Sequence, residues 1–120
     1  MTSSGQSPAI DKTCPVVLRT TQGECEILAF CHPLAGHQFV KGTVKTGETS
    51  AAAALRELHE EAGITTHAIT TALGSKDAIQ SGERWHFFVV QTDPLPDSFE
   101  HRYHTALHFI RAQLDLLPVP

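Results

Sequence analysis

A chain of 120 residues with 41% hydrophobic content can build one modest core and is too apolar to stay disordered. Its net charge of −4 argues against stable nucleic-acid binding, which needs a basic surface. No apolar run approaches the roughly 20 residues that cross a bilayer, and the polar start, Met1 to Pro8, has no apolar signal core, so a cytoplasmic protein is expected.

Residues 1–13 read as a flexible tail, ahead of a single domain over 14–120. The run CPVVLRTTQGECEILAF alternates as two strands around a turn at Gln22-Gly23. CHPLAGHQF reads as a loop entering a short strand near Gln38–Val40, and KGTVKTGE as a glycine-punctuated loop. A helix follows: Thr49 or Ser50 caps its start, Ala51 to Leu58 are strong helix formers, and Gly63 sits where a left-handed terminator belongs. ITTHAITTALG reads as strand, SKDAIQSGE as a polar loop or hairpin tip, RWHFFVVQT as a buried strand and DPLPDS as a loop. Tyr103, Leu107, Ile110, Leu114 and Leu117 recur at helical spacing, which predicts a second helix from about His104 to Leu117. The order gives a mixed α/β sandwich. Cys14, Cys25 and Cys31 form no CxxC pair and are expected as reduced thiols, and the eight histidines are scattered without a metal-binding pattern.

The chemistry concentrates on the first helix. At about 100° per residue, Glu57, Glu60 and Glu61 share one face, and Ala51, Ala54, Leu55, Leu58 and Ala62 make the stripe beside it. The acids should therefore line the rim of a packed helix. Like charges at i and i+4 near a helix C-terminus oppose folding by a few tenths of a kcal/mol. Arg56 offsets part of this, and a divalent cation would offset more. Hard oxygen donors with no nearby sulfur favour Mg²⁺ or Mn²⁺, which commonly bridge carboxylates to substrate phosphates.

Gly42, five residues, Glu48, seven residues, then REL-H-EE-A-G-I at 56–64 fills every fixed position of the pattern G-x5-E-x7-R-E-U-x-E-E-x-G-U, U being a bulky aliphatic. A chance match at a given start is on the order of 10⁻⁹ at average residue usage. The stretch resembles the Nudix box. The resemblance implies a Nudix-type α/β/α sandwich with a mixed β-sheet. It also implies metal-dependent hydrolysis of a pyrophosphate bond in a nucleoside diphosphate linked to another moiety, such as a nucleoside triphosphate, nucleotide sugar or dinucleoside polyphosphate. By position it makes Glu57, Glu60 and Glu61 metal ligands, with the backbone carbonyl of Lys41 a further candidate. Glu48 and Arg56 would hold loop and helix, Gly42 would permit a tight loop, and Gly63 would end the helix. Two positions depart from the commonest family pattern: Val40 stands where many relatives have proline, and Lys45 where many have an acid.

Beyond the box, Lys41 and Lys45 are candidates for phosphate contact, and Trp85 and Tyr103 for stacking on a base. A distal carboxylate is expected among Asp77, Glu83, Asp93, Asp97 and Glu100, with Glu83 and Glu100 foremost. The partner is then a nucleotide-type small molecule, bound by a monomer or homodimer. The alternative is a non-catalytic nucleotide-binding or regulatory module on the same fold.

Overall fold

The structure is a computed structural model, and it describes residues 10–32, 36–66, 68–78, 82–101 and 105–111. Among the described residues, eight strands and one helix follow in order: β1 (Ile10–Thr21), β2 (Glu24–His32), β3 (Gly36–Gln38), β4 (Gly42–Thr43), α1 (Ser50–Ala62), β5 (Ile69–Ala78), β6 (Glu83–Val90), β7 (Ser98–His101) and β8 (Thr105–Arg111). The sheet is mixed, in the order β5-β6-β1-β2-β8-β7, with β3 on β2 and β4 on β1. β1 and β6 run parallel from Ile10↔Glu83 to Val17↔Val90, and the other pairs are antiparallel.

The β1–β2 hairpin closes through Gln22 (φ 54°) and Gly23 (φ 81°), both left-handed, in register Thr21↔Glu24. A two-residue loop with both central residues at positive φ matches the twist of the flanking strands. The helix behaves as its sequence asks. Thr49 caps it by accepting from the Ala52 N–H at 3.0 Å, and Gly63 (φ 72°) returns its N–H to the His59 carbonyl.

Side-chain alternation gives the sheet two faces. Val17, Leu28, Val90 and Leu107 pack with Leu58, Ala62 and Ile64 in the cluster that includes α1. Cys14, Val16, Ile27, Ala29 and Phe39 form the other cluster, joined by Trp85 and Phe87. Arg19 ties the loop before β7 to the sheet: it pairs with Glu26 and Asp97, each at 2.8 Å, and lies 3.9 Å from the Phe109 ring centroid.

Several elements differ from the sequence reading. Residues 105–111 are strand, not helix. As β8 lies inside the sheet, between β2 and β7, Leu107 and Ile110 pack on opposite faces, and this two-sided burial imitates a helical spacing. Tyr103, Leu114 and Leu117 lie outside the described residues. Strand β5 continues through Ser75-Lys76-Asp77, read as loop because an edge strand tolerates polar residues on both faces. β1 begins at Ile10, so residues 10–13, assigned to the tail, are strand, with Thr13 fully buried. The short strand ends at Gln38, β4 interrupts the glycine loop, and β7 follows the proline loop.

Among the described residues no helix is long and apolar enough to cross a membrane. Leu58, with none of its surface exposed, anchors α1 to the sheet. Leu58→Ala is expected to lower unfolding stability by about 2–5 kcal/mol, read as a shift of the urea midpoint with an unchanged slope.

Candidate active site

The box folds as loop, helix and turn, and its parts meet around Arg56. Arg56 Nε donates to Glu48 Oε2 (2.8 Å), and Nη2 donates to Glu48 Oε1 (3.0 Å) and to the Thr43 carbonyl (2.9 Å). Nη1 donates to Glu60 (3.1 Å) and stands 3.4 Å from Glu57. Glu48 also accepts the Lys45 backbone N–H at 3.0 Å. One guanidinium thus ties the loop at both ends to the helix, using the fork geometry that lysine lacks. The Arg56 bonds, then the Lys45 amide, hold the Glu48 carboxyl down to about 2, and Glu48 in turn raises Arg56.

Glu57 is buried at 8% exposure, deeper than the rim position expected. The packed stripe is turned toward it: Ala53, Ala54, Glu57, Leu58 and Ala62 are buried, whereas Leu55 is half-buried. Two contacts set this rotation. The fully buried Thr13 hydroxyl donates to the Ser50 carbonyl at 2.9 Å, seating the helix start on β1. Gly42 then leaves the space that the Glu57 carboxyl fills, since a Cβ built on Gly42 would fall on that carboxyl. The glycine is therefore demanded by close approach, not by the tight loop expected; it is not among the glycines at positive φ. Burial raises the Glu57 pKa; Glu60 and Glu61 raise it further, while Arg56 and Lys45 pull it down.

Glu48, Glu57 and Glu60 are thus gathered around Arg56, and Glu61 is near enough for Glu57 to feel its charge. Lys45 contributes its amide to Glu48 and its charge to Glu57. A cleft of ≈380 Å³ opens beside this loop, lined by Asp11, Thr43, Lys45 and Glu48. Lys41 lies with its ammonium 5.0 Å from the Trp85 ring centroid. Of the distal acids, Glu83 accepts from Trp85 Nε1 at 3.1 Å on the sheet face away from α1. Glu100 is at the box's far end: it lines a cleft of ≈460 Å³ with Gly63, Ile64 and His101, whose ring packs against Gly63. Three structural partners were not legible in the chain: the Thr43 carbonyl, the Thr13 hydroxyl and the Lys41–Trp85 contact. The first two lie in β4 and β1, whose pairing joins distant segments.

Donor chemistry and charge suit a divalent cation. Glu57, Glu60 and Glu61 supply hard oxygens, and the raised pKa of Glu57 marks its negative charge as incompletely compensated. Among the described residues no three acidic, histidine or cysteine side chains already converge as a ligand set.

A family model described as the NUDIX domain matches residues 11–113. The chain belongs to this family. A mouse (Mus musculus) ADP-sugar pyrophosphatase is 33% identical in an alignment 101 residues long that covers 64% of this chain and 46% of the mouse protein; the match thus spans about half the relative's length. Among solved structures, MutT of Aliivibrio salmonicida and Vibrio cholerae superposes with a TM-score of 0.65 at 25% identity, over 86% of this chain and 78% of that one. A C. elegans Ap4A hydrolase superposes with a TM-score of 0.63 at 23% identity, over 86% and 80% of the two chains. These neighbours show the Nudix fold.

Two outcomes follow from the site's geometry. Gly42→Ala is expected to cost about 1–3 kcal/mol. In a Glu57→Ala background it should cost less by at least about 0.5 kcal/mol, a coupling that a double-mutant cycle measures. The folded Glu48 carboxyl, near 2, lies below its ordinary 4.5. Its pairing therefore stabilises fully above about pH 4.5 and is lost as pH falls toward 2. The gap in urea midpoint between wild type and Glu48→Gln should shrink over that window.

Proposed function

We propose that this chain is a metal-dependent pyrophosphohydrolase acting on a nucleoside diphosphate linked to a second moiety. The observation that carries the reading is the seating of the Glu57 carboxyl on Gly42, with Glu60 and Glu61 beside it and Arg56 holding the loop in place. A plain solvated helix has no use for a carboxylate buried against the sheet. The family match supports the reaction class, and the mouse relative's name makes an ADP-sugar a first substrate to try.

In this reading Glu57, Glu60, Glu61 and the Lys41 carbonyl hold Mg²⁺ or Mn²⁺. A bound divalent ion would screen the diphosphate and favour attack by water at phosphorus. Arg56 and Glu48 position: together they tie the loop at Thr43 and Glu48 to the helix that carries the acids. Lys45 adds a positive charge at the mouth of the adjoining cleft. One of the box acids, or a distal one such as Glu100, orients the water or takes its proton. Glu83, on the other face, is set aside for that role. A cytoplasmic location remains part of the proposal.

A panel of nucleoside triphosphates, ADP-sugars and dinucleoside polyphosphates with Mg²⁺ tests the reading. Turnover is expected for at least one, reduced about 100-fold or more by Glu60→Gln. Mg²⁺ should raise the wild-type Tm and leave that of Glu60→Gln nearly unmoved. Equal turnover in both proteins would overturn the assignment; tight binding without turnover under any metal would favour a non-catalytic nucleotide-binding module.

A further inference from the structure

Two glycines of the box are sites of close approach. Gly42 leaves room for the Glu57 carboxyl. Gly63 leaves room for the His101 imidazole: a Cβ built on it would lie 2.6 Å from Nδ1 and 2.9 Å from Cε1. Gly63 is also left-handed, with φ 72°. Among the described glycines at positive φ, Gly63 alone meets a neighbour at that point, and the others face open space. A helix terminator needs only the left-handed turn. The ring packed on it is a second demand, and it comes from β7.

His101 ends β7 and shares a face with Phe99, since both are half-buried while Ser98 and Glu100 are exposed. Phe99 packs on the cluster that contains Leu58 and Ala62. β7 thus meets α1 with two rings, and the imidazole lands on the residue that follows the last turn of the helix. That turn carries Glu60 and Glu61. It is the part of α1 that charge favours least, because three carboxylates crowd the negative end of the helix dipole. Helix ends open locally at little free-energy cost, and here an opening would displace two of the three acids. The turn is closed by the Gly63 N–H on the His59 carbonyl at 2.9 Å and by a His59–Thr65 side-chain contact at 3.2 Å. A ring seated on Gly63 blocks the movement by which it would open.

We propose that His101 is a positioning residue for the carboxylate site: its ring clamps the last turn of α1 and holds in place the backbone from which Glu60 and Glu61 reach a divalent cation. It acts by shape, so neither its charge nor a bond from its nitrogens is required. This rests on the reading of the box acids as metal ligands, and it gives Gly63 a part in the site beyond ending the helix.

His101→Ala empties the seat, and His101→Phe refills it with a ring that has no nitrogen. In His101→Ala the Gly63 amide should exchange with solvent about tenfold faster, an opening confined to the helix end. The Ala53 amide at the other end of α1, bonded to the Thr49 carbonyl, should be nearly unchanged. Gly63→Ala should raise the unfolding constant by a factor at least about twofold smaller in the His101→Ala background than in the wild type. In calorimetry without substrate, Mn²⁺ should bind His101→Ala about 10-fold more weakly than the wild type, and His101→Phe should restore both the affinity and the slow exchange of Gly63. Equal acceleration of the Gly63 and Ala53 amides, the mark of lost global stability alone, overturns the clamp. A His101→Phe protein that behaves as His101→Ala overturns the action by shape. If the wild type itself binds no Mn²⁺, the metal reading falls and the role of His101 falls with it. If wild type and His101→Ala bind Mn²⁺ alike, the metal reading stands and the role of His101 alone is lost.

Discussion

The close approach of Glu57 to Gly42 is the constraint on which the rest of the site depends. It fixes the roll of α1 about its axis, because the carboxyl fits only where a glycine leaves room. With that roll set, Ala53, Ala54, Leu58 and Ala62 face the sheet, and Glu60 comes within reach of Arg56. The alanines matter for the same reason: a bulkier stripe would lift the helix and pull Glu57 out of its seat.

Arg56 and Glu57 divide the work of the site. The arginine satisfies the structural acid, Glu48, with two short bonds and leaves Glu57 a longer contact. Glu48 is thereby locked in its charged form, whereas burial and the neighbouring carboxylates work against charge on Glu57. Two glutamates nine residues apart are thus driven in opposite directions: one is held in its charged form, the other is pushed toward its neutral one.

The sequence carries the helix almost to the residue, because Thr49, the alanine run and Gly63 are local signals with local causes. The β1–β2 turn is legible for the same reason. Helix–sheet orientation is not, since the seat under Glu57 arises from the pairing of β4 with β1, segments some thirty residues apart. Periodicity misleads at β8, where burial on both faces erases the polar–apolar alternation that identifies a strand. At β5 the reverse happens: an edge strand with Ser75, Lys76 and Asp77 in succession looks like a loop, and only its ladder with β6, including the Asp77–Arg84 pair, makes it a strand. The box acids are legible as a set, but the depth of Glu57 and the partition of Arg56 among its partners need the third dimension.

The parallel β1–β6 pair has a consequence for assembly of the chain. It joins residues more than seventy positions apart at the centre of the sheet, so the chain must close a long loop before that ladder rewards it. The β1–β2 hairpin, closed by two residues, can form early because its pairing is local. The centre of the sheet is therefore completed only when β6 joins β1, after the helix that carries the acids has been made.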